Sequence, residues 1–330
     1  MRTAILGTGS FTPKKVLTNL DLEKIVDTTD EWIRTRTGIV ERRISDENTP
    51  SSELALPAAR NALDMAGLKA TDLDAIIVAT VTPDYVFPST ACLLQHKLGA
   101  NKIMAYDSSA GCTGFIYVLV QADAMIKAGM AKYVLDVGVE ELTKITNWDD
   151  RASCVLFGDG AGAVVLGPSV ETKNEDAGIL ATYTASDGSL GDLLIQYGGG
   201  SAMPASHKTV DENLHTIYMV GNEVFKHAVR SMEEAALKGL ELSGVSMDDL
   251  DWLIPHQANI RIIDFLARRL KLPMEKVVVT IDKYGNTSAS SIPLALDDAV
   301  RDGRIKSGDN VLMVAFGAGF TWGSVVVRWL

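Results

Sequence analysis

The stretch Asp107-Ser108-Ser109-Ala110-Gly111-Cys112-Thr113-Gly114 lies between an apolar run, 103–106, and a helix-like segment, 115–127. This order predicts a strand, a tight turn and a helix, with Cys112 at the turn. Unpaired N–H groups and the positive end of a helix dipole favour thiolate over thiol, so the position suits a nucleophile. Its small neighbours would admit a substrate, and the N–H of Cys112 could face a developing oxyanion. Taken alone, the stretch also fits a small buried cysteine in a crowded turn.

The chain has 330 residues, is 47% hydrophobic and carries a formal net charge of −11. Its length predicts a large core in two domains or two fused halves. The negative charge argues against nucleic acid as a general partner. Three scattered cysteines without a C-x-x-C pair indicate neither disulfides nor zinc, and they fit a reducing cytosol. No apolar run approaches the ~18 residues of a membrane span, and no signal-peptide core is present, so neither anchor nor export is expected.

Short motifs recur in the same order in the second half of the chain. They pair 72–77 with 249–254, 126–129 with 305–308, and 157–160 with 316–319. The simplest account is an internal duplication of an α/β unit, with two βα halves at 1–170 and 171–330 about a pseudo-twofold axis. The Gly- and polar-rich segment 197–213 shows neither helix nor strand periodicity, which predicts a long loop that could cover a site.

The duplication also brings two polar residues towards Cys112. In the repeat, His256 corresponds to Ala79, which lies 177 residues earlier at the end of a first-half strand. His256 is therefore expected at the end of its own strand, where open α/β sheets bind ligands. Asn286 precedes a helix as Cys112 does, 174 residues later. Alone, His256 fits a core histidine and Asn286 a turn residue. Together with Cys112 they can hydrolyse an acyl-enzyme or transfer its acyl group to a carbon nucleophile.

Several segments resemble the motifs of the β-ketoacyl-acyl-carrier-protein synthase III family. They are 110–114, 256–261, 285–288 and 316–323, with further matches at 30–33, 35–39 and 221–225. The resemblance spans nearly the whole chain. It implies a thiolase-like five-layered αβαβα fold made of two duplicated halves, a homodimer in the cytoplasm, and the first condensation of type II fatty-acid synthesis.

The resemblance also implies roles for single residues. Cys112 would take the acyl group from an acyl-CoA, while His256 and Asn286 would hydrogen-bond the thioester carbonyl of malonyl-acyl carrier protein as CO2 leaves. The N–H groups of Cys112 and Ala318 would hold the oxyanion. The other implied contacts are CoA and substrate with Trp32, Arg36, Arg151, Asn222, Phe225 and Asn259, the acyl carrier protein with Gln257 and Arg261, and the neighbour's acyl pocket with Phe87. CoA and the carrier's phosphopantetheine are substrates, and no metal or redox cofactor is implied.

Other condensing enzymes share the implied fold. Elongating synthases resemble Cys-His-His and thiolases use a second cysteine, whereas this chain has Asn286 and no cysteine after Cys154. Chalcone-type polyketide synthases are a further relative with this fold. A condensing enzyme for a secondary metabolite, a Cys-dependent amide or thioester hydrolase, and a catalytically silent carrier-binding protein stay open as alternatives. The choice of an acetyl or branched primer depends on pocket side chains that the sequence does not place.

Overall fold

The computed structural model describes residues 2–172, 174 and 176–330. Its strands are β1 (Thr3–Phe11), β2 (Lys15–Thr18), β3 (Glu41–Ile44), β4 (Ala75–Ala79), β5 (Met104–Ser108), β6 (Val134–Glu141), β7 (Asp159–Pro168), β8 (Gly178–Ser186), β9 (Leu194–Ile195), β10 (Tyr218–Met219), β11 (Trp252–Pro255), β12 (Asn310–Gly317) and β13 (Thr321–Arg328). Its helices are α1 (Asn19–Leu22), α2 (Asp30–Thr37), α3 (Ser51–Ala66), α4 (Thr90–Leu98), α5 (Gly114–Lys127), α6 (Arg151–Cys154), α7 (His207–Asp211), α8 (Gly221–Ser243), α9 (Ile260–Arg269), α10 (Ile281–Tyr284) and α11 (Ser291–Arg301).

Two sheets with matching topology form the framework. The first has the order β1-β7-β6-β4-β5, and the second has the order β8-β13-β12-β11. In the first sheet β6 and β4 are parallel, whereas β1 and β7 are antiparallel. In the second sheet β12 and β11 are likewise parallel, and β8 and β13 are antiparallel. The strands that join these pairs, β7 with β6 and β13 with β12, are antiparallel in both sheets. Strands of the first sheet come from 3–168 and strands of the second from 178–328. The repeated order and direction support the internal duplication, while a boundary at residue 170 stays a prediction.

Helices and sheets alternate in five layers. Helices α5 and α11 lie between the two sheets, where Leu119 and Ile292 join a core with Ile77 and Met313. Such a central helix must be apolar almost all round, which explains the composition of α5. Helices α3 and α4 cover the outer face of the first sheet. Helices α8 and α9 cover the outer face of the second sheet. This is the α/β layering that the resemblance implies.

The early Gly7-Thr8-Gly9 motif serves packing. A Cβ added at Gly9 would lie 2.2 Å from the Ala58 carbonyl oxygen, and one at Gly7 would lie 2.4 Å from the Ala62 oxygen. Both glycines therefore let β1 approach the backbone of α3 directly, which no larger side chain would permit.

Two local predictions differ from the structure. The run Cys154-Val155-Leu156-Phe157-Gly158 predicts a strand from its sequence. In the structure α6 ends at Cys154 and a turn follows. The apolar run is buried against the outer helices of the second sheet rather than in a strand, so its hydrophobicity has a different cause. The predicted loop 197–213 contains the short helix α7, capped by the Ser206 hydroxyl. Among the residues described, no helix is both long enough and apolar enough to cross a membrane.

Candidate active site

Cys112 lies where the two halves of the molecule touch. After β5 the chain makes one 3-10 turn, Gly111–Thr113, before α5 begins. Gly111 has φ of +54°, and a Cβ there would lie 2.7 Å from the N atom of Ala318. The Thr321 hydroxyl donates to the Ala110 carbonyl at 2.9 Å, and the Thr113 hydroxyl donates to the Thr321 carbonyl at 3.0 Å. The turn is thereby fixed against the connection between β12 and β13.

The environment of the thiol opposes ionisation. Burial raises the pKa of the Cys112 thiol to about 11, and the nearby Glu140 carboxyl acts in the same direction. The Ser288 hydroxyl opposes this shift and lowers the pKa. The expectation that the helix end alone favours thiolate is therefore not met, because the loss of water around the sulfur outweighs it. In the resting site Cys112 is a thiol, half-buried on the cavity wall.

His256 follows β11 and extends its ladder, with its N–H donating to the Val314 carbonyl at 2.8 Å. The ring is 2% exposed, and burial lowers its pKa to about 3, so the imidazole is neutral. Its Nδ1 lies 2.7 Å from the Ser291 Oγ, which also accepts from the Gln257 N–H at 3.3 Å. Because that oxygen already accepts from Gln257, we assign the Ser291 hydroxyl as the donor to Nδ1, which leaves Nε2 as the ring nitrogen that carries the proton and can donate. Ser291 was not predicted from the sequence.

Asn286 is held in a similar way. Its N–H donates to the Leu156 carbonyl at 2.8 Å, and its own carbonyl accepts from the Gly158 N–H at 3.0 Å. Its side-chain Oδ1 accepts from the Ser288 N–H at 2.9 Å. The amide nitrogen Nδ2 therefore stays available as a donor. His256 and Asn286 thus each offer one fixed N–H group.

A single cavity of about 780 Å³ brings the predicted site residues together. Cys112, His256 and Asn286 line it together with Ser288 and Ala318. So do most of the residues predicted to bind CoA or the carrier protein: Trp32, Arg36, Asn222, Phe225, Asn259 and Arg261. A reactive thiol, two donors and an apolar channel in one space can bind a long thioester and stabilise negative charge on its oxygen.

Trp32 and Arg151 are in direct contact. The Arg151 guanidinium carbon lies 4.9 Å from the centre of the Trp32 ring, and Nη1 donates to the Asp27 carbonyl at 2.9 Å. An adenine stacked between them needs two contacts of about 3.5 Å each, or roughly 7 Å in total. The Arg151 guanidinium thus covers the face of the Trp32 ring, and Arg151 must move before a base can enter between the two side chains.

The two residues predicted to contact the carrier protein are placed differently from each other. Gln257 is 1% exposed, donates to the carbonyls of Pro255 and Val278 at 2.7 and 3.1 Å, and accepts from the Thr280 N–H at 2.9 Å. A contact with a carrier protein needs surface, so this part of the prediction does not fit the structure. Arg261 is exposed, 5.5 Å from the ring centre of Phe225.

Phe87 lies outside the cavity of its own chain. Its side chain is 84% exposed in the segment between β4 and α4, next to Tyr85 and Val86, which are 63% and 91% exposed. Asn259, in contrast, caps α9 through its Oδ1, which accepts from the Arg261 N–H at 2.9 Å. The cap uses only Oδ1, so the Nδ2 group of Asn259 can donate a hydrogen bond to a ligand.

The five layers, with a cysteine from one half facing a histidine and an asparagine from the other, define a condensing enzyme of the thiolase fold. Residues 106–188 match the family described as 3-oxoacyl-[acyl-carrier-protein (ACP)] synthase III, and residues 240–329 match its C-terminal part. The chain belongs to this β-ketoacyl-acyl-carrier-protein synthase III family, and it is an acyltransferase.

Individual relatives agree over almost their whole length. The β-ketoacyl-acyl-carrier-protein synthase III of Caldanaerobacter subterraneus subsp. tengcongensis is 57% identical over 98% of this chain and 97% of its own. The crystal structure of 3-oxoacyl-[acyl-carrier-protein] synthase III from Aquifex aeolicus has a TM-score of 0.91 at 51% identity, covering 99% of this chain and 100% of its own. That of the Thermus thermophilus synthase III has a TM-score of 0.92 at 47% identity and covers 99% of both chains.

Proposed function

We propose that Cys112, His256 and Asn286 carry out a decarboxylative condensation that starts fatty-acid synthesis. An acyl-CoA primer and malonyl-acyl carrier protein give 3-oxoacyl-acyl carrier protein, CoA and CO2. The observation that carries the proposal is the pair of N–H donors, His256 Nε2 and Asn286 Nδ2, directed by their partners Ser291 and Ser288 in the cavity of Cys112.

In the first half-reaction the Cys112 sulfur attacks the thioester of the primer, and CoA leaves. Malonyl-acyl carrier protein then enters the same cavity. As its carboxylate leaves as CO2, negative charge moves onto the thioester oxygen, where the two donors bind it more strongly than they bind the neutral carbonyl. A neutral His256 suits this role, since it donates a hydrogen bond without bringing a proton to transfer.

The carbon nucleophile next attacks the acyl group on Cys112. The oxyanion formed there would accept from the N–H groups of Cys112 and Ala318. The close approach of Gly111 to Ala318, and of Gly317 to Cys112, supports this pairing, because each glycine lets the two backbones meet.

The remaining lining residues fit the two long substrates. Arg36 and Trp32 line the cavity, Arg151 packs on Trp32 without lining it, and the three would bind the phosphates and adenine of CoA. Asn222, Phe225 and Asn259 would bind the pantetheine arm, which CoA shares with the carrier. Arg261 is the predicted carrier contact that the structure leaves on the surface, and a cation there suits an acidic carrier. Cys112 supplies the nucleophile, so we propose a reaction without metal or redox cofactor.

A homodimer is the proposed assembly. Strand β5 is an edge of the first sheet, paired with β4 alone, and its Met104 is 46% exposed. An open sheet edge beside the exposed side chains of Tyr85, Val86 and Phe87 suits a second copy of the chain. In that arrangement Phe87 would close the partner's acyl pocket. A cytoplasmic location remains a prediction.

The experiment separates the two half-reactions. Radiolabelled acetyl-CoA is mixed with wild type, Cys112→Ala, His256→Ala and Asn286→Ala, followed by malonyl-acyl carrier protein. We expect label on Cys112 in all but the first variant, and a 3-oxoacyl product only from wild type. Cys92→Ala and His96→Ala, both exposed and outside the cavity, are the matched controls.

Two other results would indicate a different reaction or a different primer. Release of free acetate in place of a condensed product would identify a hydrolase. Labelling by a branched acyl-CoA but not by acetyl-CoA would keep the reaction and change the primer.

A further inference from the structure

Glu140 is a fully buried carboxyl near the end of β6 that the mechanism above does not use. It accepts from the Thr82 hydroxyl at 2.6 Å, the Val81 N–H at 3.1 Å and the Ser288 hydroxyl at 3.1 Å. Hydroxyls and a backbone N–H surround it rather than a cation. Burying an ionised carboxyl without a cation costs folding free energy, which suggests that Glu140 has a functional role.

Ser288 stands between Glu140 and the nucleophile. It lines the cavity with Cys112, and its hydroxyl donates to Glu140 Oε1. The same hydroxyl lowers the pKa of the thiol, so it can also donate to the sulfur once the sulfur is negative. Ser288 is 2% exposed and has φ of +48°, a left-handed conformation that is strained for a residue with a side chain. Strain of this kind is typical of functional positions.

Among the described residues, the charged neighbours of Glu140 on its own sheet are paired with other groups. Opposite Glu140 on β7 is Gly160, which brings no side chain. The adjacent Glu141 is paired with Lys144 at 2.9 Å. Asp159 accepts instead from Ser45 and Thr143. On the side of the Ser288 turn and the 3-10 turn before α5, Glu140 is near enough to the Cys112 thiol to act on its pKa.

We propose that Ser288 and Glu140 form a relay that accepts the Cys112 proton when the thiol attacks acyl-CoA. This proposal rests on the function above. The proton passes from Sγ to Ser288 Oγ, while the hydroxyl proton of Ser288 passes to Glu140. A carbon–sulfur bond forms to Cys112, and the carbon–sulfur bond to CoA breaks. The proton returns by the same route to the departing CoA sulfur, so Glu140 ends as it began.

The alternative acceptor in the site is much weaker. His256 has a pKa lowered to about 3, which makes it a poor base for a thiol whose own pKa is raised to about 11. Burial raises the pKa of Glu140 to about 7. The pKa of Glu140 is thus nearer to that of the thiol than the pKa of His256 is, which makes Glu140 the better proton acceptor. The carboxyl accepts only when ionised, so the relay operates above about pH 7 and is lost as the pH falls below it.

The test measures the thiol and the acylation step separately. Alkylation of Cys112 by iodoacetamide is followed from pH 5.5 to 9, and single-turnover labelling by acetyl-CoA is measured at pH 8. Wild type should show a rise in alkylation rate near pH 7. Glu140→Gln should lose that rise and acylate about 10²-fold more slowly, the usual scale of acid–base catalysis. Glu140→Asp should recover part of the rate.

Two Ser288 variants separate chemistry from backbone strain. Ser288→Gly relieves the positive φ and Ser288→Ala keeps it, yet both remove the hydroxyl, so both should acylate about 10²-fold more slowly. Decarboxylation of malonyl-acyl carrier protein should change less than threefold in each. Glu141→Gln, the neighbouring buried carboxyl, is the matched control and should leave both assays unchanged.

The relay is overturned if Glu140→Gln keeps the alkylation profile of wild type, or if Ser288→Gly acylates normally. It is also overturned if acylation and decarboxylation fall together with a lower melting temperature, because that pattern indicates a structural role. Failure of every acyl-CoA to label wild type would refute the proposed function instead, and the alkylation profile would still decide the relay.

Discussion

Replacing Gly317 by alanine tests how tightly the two halves define the oxyanion site. The new Cβ would lie 2.5 Å from the Cys112 N atom, 2.8 Å from the Thr113 N atom and 3.1 Å from the Ala110 oxygen. All three are backbone atoms, so no flexible side chain can yield. Ordinary contact begins at 3.4 Å, and the turn that carries Cys112 must therefore retreat by about 0.9 Å.

A displacement of about 1 Å at a reacting group costs on the order of 10²-fold in rate, or about 2.7 kcal/mol of transition-state free energy. We expect Gly317→Ala to lower the single-turnover acylation rate by about that factor, while CoA binding, measured by quenching of Trp32 fluorescence, stays within threefold. Overpacking also costs about 1–3 kcal/mol of stability, so the melting temperature should fall by several degrees.

Gly188→Ala is the control, because a Cβ at Gly188 meets nothing within 4 Å. If Gly317→Ala folds and acylates at more than a third of the wild-type rate, the contact between Gly317 and the Cys112 turn does not position the nucleophile, and the reasoning fails.

Further outcomes are expected from substitutions at four single residues. Ser291→Ala removes the partner that directs His256 and should slow decarboxylation of malonyl-acyl carrier protein about tenfold, with acylation of Cys112 unchanged; equal losses in both assays would contradict this. Gln257→Leu leaves buried carbonyls unpaired and should lower the free energy of unfolding by about 1–3 kcal/mol without raising KM for the carrier, whereas Arg261→Glu should raise that KM. Phe87→Asp should dissociate the proposed homodimer in sedimentation experiments, and a monomeric wild type would refute that assembly.

The sequence predicted the strand, turn and helix around Cys112, and the duplication placed His256 at a strand end, because both depend on local pattern and on repeat. Residues 154–158 were wrong as a strand, since an apolar run reports burial but not conformation. The pKa of Cys112 could not be read from its turn, because the walls that exclude water come from distant segments.

Contacts between distant residues were the other limit. Glu140 and Ser288 are 148 residues apart, and Ser291 at the start of α11 contacts His256, which follows β11. No periodicity brings such residues together. The carrier contact of Gln257 was implied by the family resemblance alone, whereas its side chain turns inward to the carbonyls of Pro255 and Val278.

The contact of the Gly111–Thr113 turn with Ala318 has a consequence for the duplicated units. The nucleophile belongs to one copy of the duplicated unit, whereas His256, Asn286 and the facing turn belong to the other. Neither copy of the unit contains the whole site, so this arrangement requires two copies to be paired. The turn of Cys112, Gly111–Thr113 before α5, has its counterpart in Ser288–Ser290 before α11, and Asn286 lies just ahead of that second turn.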